Sequence, residues 1–171
     1  MTSQKVPMRV EEVCWETWEA IDVATLLFVM REDKMLLIQK KRGLGKGKIN
    51  APGGKLEPGE TPKEAALREI REEVGISVER AQYAGEHFFQ FTNGYKMHVY
   101  VYTADQFTGT PVETEEAIPF WCDIHDIPYD QMWADDRYWL PLMLSGERFV
   151  GYYIFDEDHL ISYRILTDSN P

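Results

Sequence analysis

Three glutamates, Glu69, Glu72 and Glu73, form the most chemically suggestive pattern in the sequence. A helix places positions i, i+3 and i+4 on one side, so these carboxylates would gather there. Like charges at this spacing destabilise a helix by roughly 0.2–0.5 kcal/mol per pair, and by more when water is excluded. A hard divalent cation such as Mg²⁺ or Mn²⁺ would neutralise them. The pattern indicates a metal site; the alternative is a solvated acidic face paired with Arg68 and Arg71.

The helix that would carry these glutamates has start and stop signals. Thr61, Pro62 and Glu64 predict an N-cap, a first helical residue and a completed capping box. Gly75 predicts the C-terminal stop. An apolar stripe at helical spacing lies on another side and consists of Leu67, Ile70 and Val74. We therefore expect this helix to pack on a sheet with its glutamates directed away from the stripe.

Apolar runs predict the strands of that sheet. The runs VATLLFVM (23–30) and MLLIQ (35–39) predict two buried neighbouring strands joined by a short turn. Later runs predict two hairpins, one of EHFFQF and KMHVYVYTA around Asn93-Gly94 and one of FVGYYIF and HLISYRI. Residues 138–145 predict a second helix. This order of elements is typical of an α+β or layered α/β/α domain.

The composition limits the class of protein. A chain of 171 residues with 44% apolar residues is of one-domain size, and we expect a single domain at 21–171 preceded by an N-terminal extension at 1–20. Trp15 and Trp18 in that extension predict an added strand or a packed arm. A net charge of −11 argues against a nucleic-acid polymer as partner.

Other sequence features bear on the compartment of the protein. The two cysteines, Cys14 and Cys122, are too few for a disulfide scaffold, and we expect both to be reduced and partly buried. No apolar run approaches the roughly 20 residues that span a bilayer, and the N-terminus lacks a secretory signal pattern. We therefore expect no membrane association and a cytoplasmic location.

The segment before the glutamates makes the pattern specific. Five residues separate Gly54 from Glu60, seven more lead to Arg68-Glu69, and the segment ends at Ile76. It resembles the Nudix box at every defined position. The resemblance implies an α/β/α sandwich with a mixed β-sheet and a catalytic loop-helix.

The same resemblance implies roles for residues of the box. Glu69, Glu72 and Glu73 would be metal ligands, and Gly54 would supply a backbone carbonyl near the metal. Arg68 would orient a glutamate, and Glu60 would support the geometry of the loop and helix. The implied cofactor is Mg²⁺ or Mn²⁺.

Nudix enzymes hydrolyse a nucleoside diphosphate linked to another group, by attack of water on phosphorus. Such a linkage is densely charged, so metal ions must neutralise its oxygens and activate the water. We expect Glu73 to lie nearest that water and Glu116 to act as a base or further ligand. Lys40 and Lys55 are candidates for phosphate contact, although a solvent-exposed structural role fits each lysine equally well.

Three further stretches resemble the oxidised-purine nucleoside triphosphatase branch of that family: KKRGLGKGKIN, GTPVETEE, and DIPYDQMWADDRYWLPL with the later GYYIF. The resemblance implies that Trp133 stacks on the base and that Asn50, Asp135 and Asp136 recognise the purine. Two adjacent buried carboxylates would differ in protonation, so one can accept and the other donate a hydrogen bond. Leu44 departs from the branch, which has an aromatic residue there.

Two other functions fit the same motifs. A Nudix pyrophosphatase could act on nucleoside diphosphate sugars, ADP-ribose or dinucleoside polyphosphates. A non-catalytic nucleotide-binding module would have lost carboxylates of the box, and none is lost here. We expect a monomer or homodimer that binds a nucleotide.

Overall fold

The computed structural model describes residues 5–171. In these residues, nine strands and two α-helices follow one another as β1 (Asp22–Arg31), β2 (Lys34–Lys40), β3 (Ile49–Asn50), β4 (Gly53–Lys55), α1 (Pro62–Val74), β5 (Gln82–Phe91), β6 (Lys96–Ala104), β7 (Ala117–Asp123), α2 (Asp136–Leu144), β8 (Phe149–Asp156) and β9 (His159–Thr167). The predicted strands and helices are confirmed, and α2 begins two residues earlier than its pattern indicated.

The strands form a mixed sheet in the order β3-β2-β1-β6-β5-β8-β9, with β4 paired to β1 and β7 to β2. The pairs β1–β6 and β5–β8 are parallel, and the remaining pairs are antiparallel. Strands β1 and β2 are joined by a short turn as predicted, but they pair only at Met30↔Met35 and Arg31↔Lys34. Beyond that point they diverge, because β1 pairs with β4 and β6 while β2 pairs with β3 and β7.

Helix α1 covers one side of the sheet. The Thr61 side chain accepts a hydrogen bond from the Glu64 backbone N–H, the reciprocal half of the capping box is present, and Gly75 ends the helix with a left-handed φ of 79°. Ile70 and Val74 are fully buried against a core that includes Leu27, Val29, Leu36 and Ile38. Helix α1, the box helix, is therefore fixed by local capping and by burial of its apolar stripe.

Helix α2 covers the opposite side. Its fully buried Trp139 and Leu140 pack with Phe28, Phe149 and Tyr153 in a second, aromatic core. A mixed sheet between two helical layers is the predicted α+β sandwich. The glutamates of α1 and the Asp135-Asp136 pair at the start of α2 therefore lie in different helical layers.

The segment before β1 packs as an arm. The Trp15 ring lies 4.9 Å from that of Tyr152, and the Trp18 indole N–H donates to Gln90 Oε1 at 2.9 Å. Cys14 is exposed and Cys122 is buried, so the expectation that both are partly buried is wrong. Cys14 lies in the arm, whereas Cys122 lies on β7. Within residues 5–171, none of the helices is long and apolar enough to cross a membrane.

Candidate active site

A pocket of about 490 Å³ opens where β1 and β2 diverge. Its walls bring together six residues that sequence reasoning singled out from separate segments: Lys40, Asn50, Gly54, Lys55, Glu73 and Trp133. One end carries a glutamate of the box helix, and another carries the tryptophan that precedes α2. The pocket therefore joins a group of carboxylates to an aromatic surface.

Three carboxylates form a compact group beside this pocket. Oxygens of Glu69, Glu73 and Glu116 all lie within 4.8 Å of one another. Thr114 connects the two segments that supply them, because its hydroxyl donates to the Glu73 carbonyl at 2.7 Å and accepts from the Glu116 N–H at 3.2 Å. The acidic stretch 113–116 is thus joined to α1 by the hydrogen bonds of Thr114.

Glu72 lies apart from that group. Its side chain is 52% exposed and its Oε2 accepts from Arg68 Nη1 at 3.1 Å. A step of about 100° per residue leaves Glu72 and Glu73 at clearly different angles around the helix axis. Glu73 consequently turns inward and is buried, while Glu72 remains on the solvent side. The shared face expected for the three glutamates is therefore divided in the structure.

Arg68 is the centre of an ion-pair network on the box helix. Its guanidinium donates to both oxygens of Glu60, at 2.7 and 2.8 Å, and to Glu69 Oε1 at 2.8 Å. Another N–H donates to the Lys55 carbonyl. Hydrogen bonds from Arg68 lower the pKa of Glu60 to about 2. Arg68 thus joins the loop before α1 to one carboxylate of the group, an arrangement that supports an orienting role.

Glu73 is the most perturbed carboxylate of the group. Burial, followed by the negative charge of Glu69, raises its pKa to about 8, and the positive charge of Lys40 opposes that rise. Its buried Oε2 has no hydrogen-bond partner among the described residues. An unpartnered buried carboxylate oxygen is costly, and a cation would satisfy it.

The backbone at Gly54 also fits a bound cation. A Cβ at this position would lie 2.5 Å from Glu69 Cδ, so only glycine allows the chain to pass this close to the carboxylate. An all-oxygen set of three carboxylates, one with an unpartnered oxygen, is the chemistry that a hard divalent cation prefers. The residues present therefore fit a divalent metal ion.

Trp133 forms the aromatic wall of the pocket. Its ring meets Phe91 and Phe155 edge-on, at centroid distances of 6.3 and 5.5 Å. Gly45 lies against its edge, since a Cβ there would be 2.8 Å from Trp133 Nε1. Asn50 lies on the pocket wall, where its Oδ1 accepts from the Ala51 N–H at 2.8 Å. An indole held edge-on by two phenyl rings can offer a face to a planar ligand.

Asp135 and Asp136 lie deeper than Trp133 and are not among the residues that line the pocket. They are only 2% and 4% exposed. The Trp139 indole N–H is shared between them, at 2.9 Å from Asp135 Oδ2 and 3.1 Å from Asp136 Oδ1. Burial raises the pKa of both carboxyls, and the charge of Asp135 raises that of Asp136 further. The enclosed pair is therefore suited to hold a proton.

The two candidate phosphate-binding lysines differ in their partners. Both line the pocket, and Lys40 is close enough to Glu73 to oppose the rise in its pKa. Lys55 Nζ instead forms an ion pair with Asp22 Oδ2 at 3.1 Å. The charge of Lys40 thus acts on the carboxylate group, whereas Lys55 is already paired with Asp22.

Comparison with known proteins identifies the arrangement. The NUDIX domain family matches residues 10–143. The chain belongs to the NUDIX family. An oxidized purine nucleoside triphosphate hydrolase from Danio rerio is 43% identical over 143 residues, which cover 82% of this chain and 92% of that protein. The corresponding hydrolase from Mus musculus is 41% identical over 143 residues, with the same coverage.

A solved NUDIX-related structure has the same fold. The mutator MutT protein from Bacillus halodurans is 28% identical, with a TM-score of 0.77 over 88% of this chain and 100% of that chain. The predicted Nudix-type α+β sandwich is confirmed.

Sequence reasoning missed two residues of this NUDIX site. Thr114 stands in the quoted GTPVETEE stretch, but a threonine hydroxyl that bonds across 41 residues leaves no local signal. Trp139 follows Asp135 and Asp136 at helical i+4 and i+3 spacing, which does place the three side chains together. That spacing could have revealed the contact, but a tryptophan on an apolar helix face is more commonly read as core.

Proposed function

We propose that this protein hydrolyses oxidised purine nucleoside triphosphates between the α- and β-phosphates. The products are a nucleoside monophosphate and pyrophosphate, and the role is sanitation of the nucleotide pool. The observation that carries the proposal is a single pocket that joins the Glu69–Glu73–Glu116 group to the Trp133 surface. The two relatives named as oxidized purine nucleoside triphosphate hydrolases support the same substrate class.

The carboxylate end would perform the hydrolysis. Glu69, Glu73, Glu116 and the Gly54 carbonyl would hold Mg²⁺ or Mn²⁺, with Glu72 at the periphery. The bound ion supplies charge neutralisation at the phosphate oxygens and lowers the pKa of a water molecule. Water would attack a phosphorus of the α–β linkage, the bridging P–O bond would break, and nucleoside monophosphate and pyrophosphate would leave. Glu73 would lie nearest the water, and Glu116 would accept its proton or add a ligand.

Basic residues would position the charged groups around this reaction. Arg68 holds Glu69 through a hydrogen bond of 2.8 Å, so it would orient that ligand without touching substrate. Lys40 and Lys55 line the pocket and would contact phosphate oxygens. Lys55 would exchange its ion pair with Asp22 for that contact.

The end of the pocket formed by Trp133 would recognise the base. Stacking on Trp133 would contribute about 1–3 kcal/mol, the range found for single bases on aromatic side chains. Asn50 would form hydrogen bonds with the purine edge from the pocket wall, and Asp135 and Asp136, which lie deeper, would reach that edge when the bound base opens the pocket toward them. One aspartate would be protonated and the other ionised, so the pair could donate to one atom and accept from the next.

The domain organisation, location and oligomeric state of the enzyme are proposed as well. Residues 1–20 are an N-terminal extension of one catalytic domain at 21–171, and the protein acts in the cytoplasm as a monomer or homodimer. Its net charge of −11 supports a small nucleotide rather than a nucleic-acid polymer as partner.

A turnover screen with Mg²⁺ tests the proposal. We expect 8-oxo-dGTP to have the highest kcat/KM when compared with dGTP, ADP-ribose, a nucleotide sugar and a dinucleoside polyphosphate. Early time points should contain nucleoside monophosphate and pyrophosphate. Preference for ADP-ribose or a nucleotide sugar would reject the substrate class, and nucleoside diphosphate with orthophosphate would reject the cleavage site.

A further inference from the structure

A histidine and a tyrosine form a hydrogen-bonded pair inside the aromatic core beneath α2. His87 Nδ1 lies 3.0 Å from the Tyr153 hydroxyl, and the two residues are 1% and 0% exposed. They come from the parallel neighbours β5 and β8, where His87 is paired with Gly151. The proposed reaction assigns no role to either residue.

The pair is expensive to bury. His87 Nε2 has no partner among the described residues, and burial lowers the pKa of His87 to about 3, so the ring is neutral. An unsatisfied buried polar atom destabilises the folded state. Room for the phenol also requires Gly151, because a Cβ there would overlap the Tyr153 hydroxyl. Leucine and phenylalanine would fill such a layer without the polar cost.

Both members of the pair contact the base-recognition end of the molecule. The His87 ring meets the Trp139 indole edge-on at 4.5 Å, and that indole N–H is the group shared by Asp135 and Asp136. Tyr153 stacks on Phe89 at 4.9 Å, and Phe89 lines the pocket. Burial, followed by the negative charges of both aspartates, raises the pKa of Tyr153.

We propose that His87 and Tyr153 are positioning residues that determine which oxidised purine the pocket prefers. The inference rests on the proposed function, in which Asp135 and Asp136 read the base. Trp139 has one N–H to divide between two carboxylates, and its distances to them differ by only a little. The carboxylate that receives the stronger bond stays ionised more readily, and the other retains the proton. By holding the indole, the pair sets that division and therefore the donor–acceptor order offered to the purine.

The surroundings of the aspartates leave few other groups able to set this order. Among the described residues, Tyr129 from the turn before α2 and Tyr153 from β8 interact electrostatically with the aspartates, and His87 from β5 contacts the indole that the aspartates share. Burial raises the pKa of both tyrosines and lowers that of His87, so all three are neutral near pH 7. Arg137, on α2 itself, is half exposed and pairs with Asp130 at 3.0 Å.

Selectivity between two oxidised purines is the first test. The substrates are 8-oxo-dGTP and 2-oxo-dATP, because oxidised guanine and 2-oxoadenine reverse the order of donors and acceptors on the purine edge. Tyr153→Phe removes only the hydroxyl. We expect it to change the ratio of the two kcat/KM values by at least about fivefold, while kcat for 8-oxo-dGTP stays within about twofold. His87→Leu should shift the ratio in the same direction.

The matched control lies on the same strand. Tyr152 lies on the opposite face of β8, where it packs against Trp15 of the arm. Tyr152→Phe should leave the selectivity ratio unchanged. An unchanged ratio in Tyr153→Phe, or an equal change in Tyr152→Phe, would overturn the proposal.

The second test needs no substrate. The indole ¹H–¹⁵N resonance of Trp139, assigned with Trp139→Phe, should titrate with the aspartate pair, and Tyr153→Phe should move its midpoint by at least about 0.5 pH unit. A simple packing role would leave the midpoint in place, and an unmoved midpoint refutes the role of the pair. A wild-type enzyme that turns over neither oxidised purine would instead refute the proposed function, and the two failures are thus distinguishable.

Discussion

One acidic group lies beside an open pocket and consists of Glu69, Glu73 and Glu116. Lys40 lies on the wall of that pocket, and Arg68 donates a hydrogen bond to Glu69. The second acidic group, Asp135 and Asp136, is enclosed and shares one indole N–H. Burial raises pKa values in both groups. The two groups differ in what can reach them. An ion and a charged substrate can enter the open group, but only a proton can readily neutralise the enclosed pair.

This difference separates the two tasks of the proposed enzyme. Charge at the glutamates would be cancelled by a divalent cation, so the chemistry should respond to metal and chelator. Charge at the aspartates would be cancelled by protonation, so base selection should respond to substitutions that change proton number.

Glu73→Gln should have the largest effect. The substitution keeps the shape but removes the buried charge that would hold the cation, so kcat should fall by at least about 100-fold. Steady-state assays with Mg²⁺ and with EDTA measure it, and circular dichroism should show an intact fold. Glu79→Gln, at an exposed position in the loop after α1, is the control and should be silent. Full wild-type activity in EDTA would contradict the metal mechanism.

Trp133→Ala should weaken all purine triphosphates together. Loss of about 1–3 kcal/mol of stacking corresponds to a fall in kcat/KM of roughly 5- to 150-fold, mainly through KM. Trp133→Phe, which keeps a smaller aromatic face, should recover part of the loss. A selective loss for one base only would show that Trp133 reads the purine edge rather than its face.

Asp136→Asn should change selectivity more than overall rate. The amide fixes the donor and acceptor atoms, and one mismatched buried polar group costs about 1–3 kcal/mol. We expect the kcat/KM ratio between 8-oxo-dGTP and dGTP to change by about fivefold or more, with Asp135→Asn also changing it. The Mg²⁺ concentration for half-maximal activity should stay constant. A constant ratio in both variants would remove the aspartates from base recognition.

Local patterns were sufficient for the box helix but not for the pocket. The Thr61 cap, the Gly75 stop and the apolar stripe are encoded within α1, and all were predicted correctly. The divergence of β1 and β2 depends on which strands compete for their edges, and runs that are apolar on both faces carry no such information. The division between Glu72 and Glu73 follows from how α1 is rotated against the sheet.

The polar pair in the core was also beyond local reasoning. His87 and Tyr153 stand in separate strand runs and are 66 residues apart, so each alone is consistent with an ordinary core residue. Only the pairing of β5 with β8 brings them together. The Asp135-Asp136 pair was recognised from its motif, but its depth depends on the packing of α2.

The smallest expected effect is a pH dependence of stability that separates the two acidic groups. The folded-state pKa of Glu73 is about 8, above its ordinary value of 4.5, and the aspartate pKa values are raised as well. A raised pKa contributes stability that is lost as pH rises toward the folded value, by at most about 1.4 kcal/mol per pH unit for each group. The relevant window is about pH 7.2 to 8, because His87 is then neutral in the folded chain and largely neutral in the unfolded chain, where its ordinary pKa is 6.5.

Denaturant unfolding in that window should show that Mg²⁺ changes the pH dependence of stability caused by the glutamates but not that caused by the aspartates. In EDTA, the free energy of unfolding should decline with rising pH, and Glu73→Gln should make the decline shallower. Mg²⁺ should also remove the glutamate component, because an ion that binds the ionised carboxylates stabilises the folded state at higher pH. The aspartate component should persist in Mg²⁺ and disappear only in Asp136→Asn. If Mg²⁺ abolished the whole decline of stability with pH, the enclosed aspartate pair would not retain a proton. The proposal that a cation neutralises the glutamates and a proton neutralises the aspartates would then be wrong.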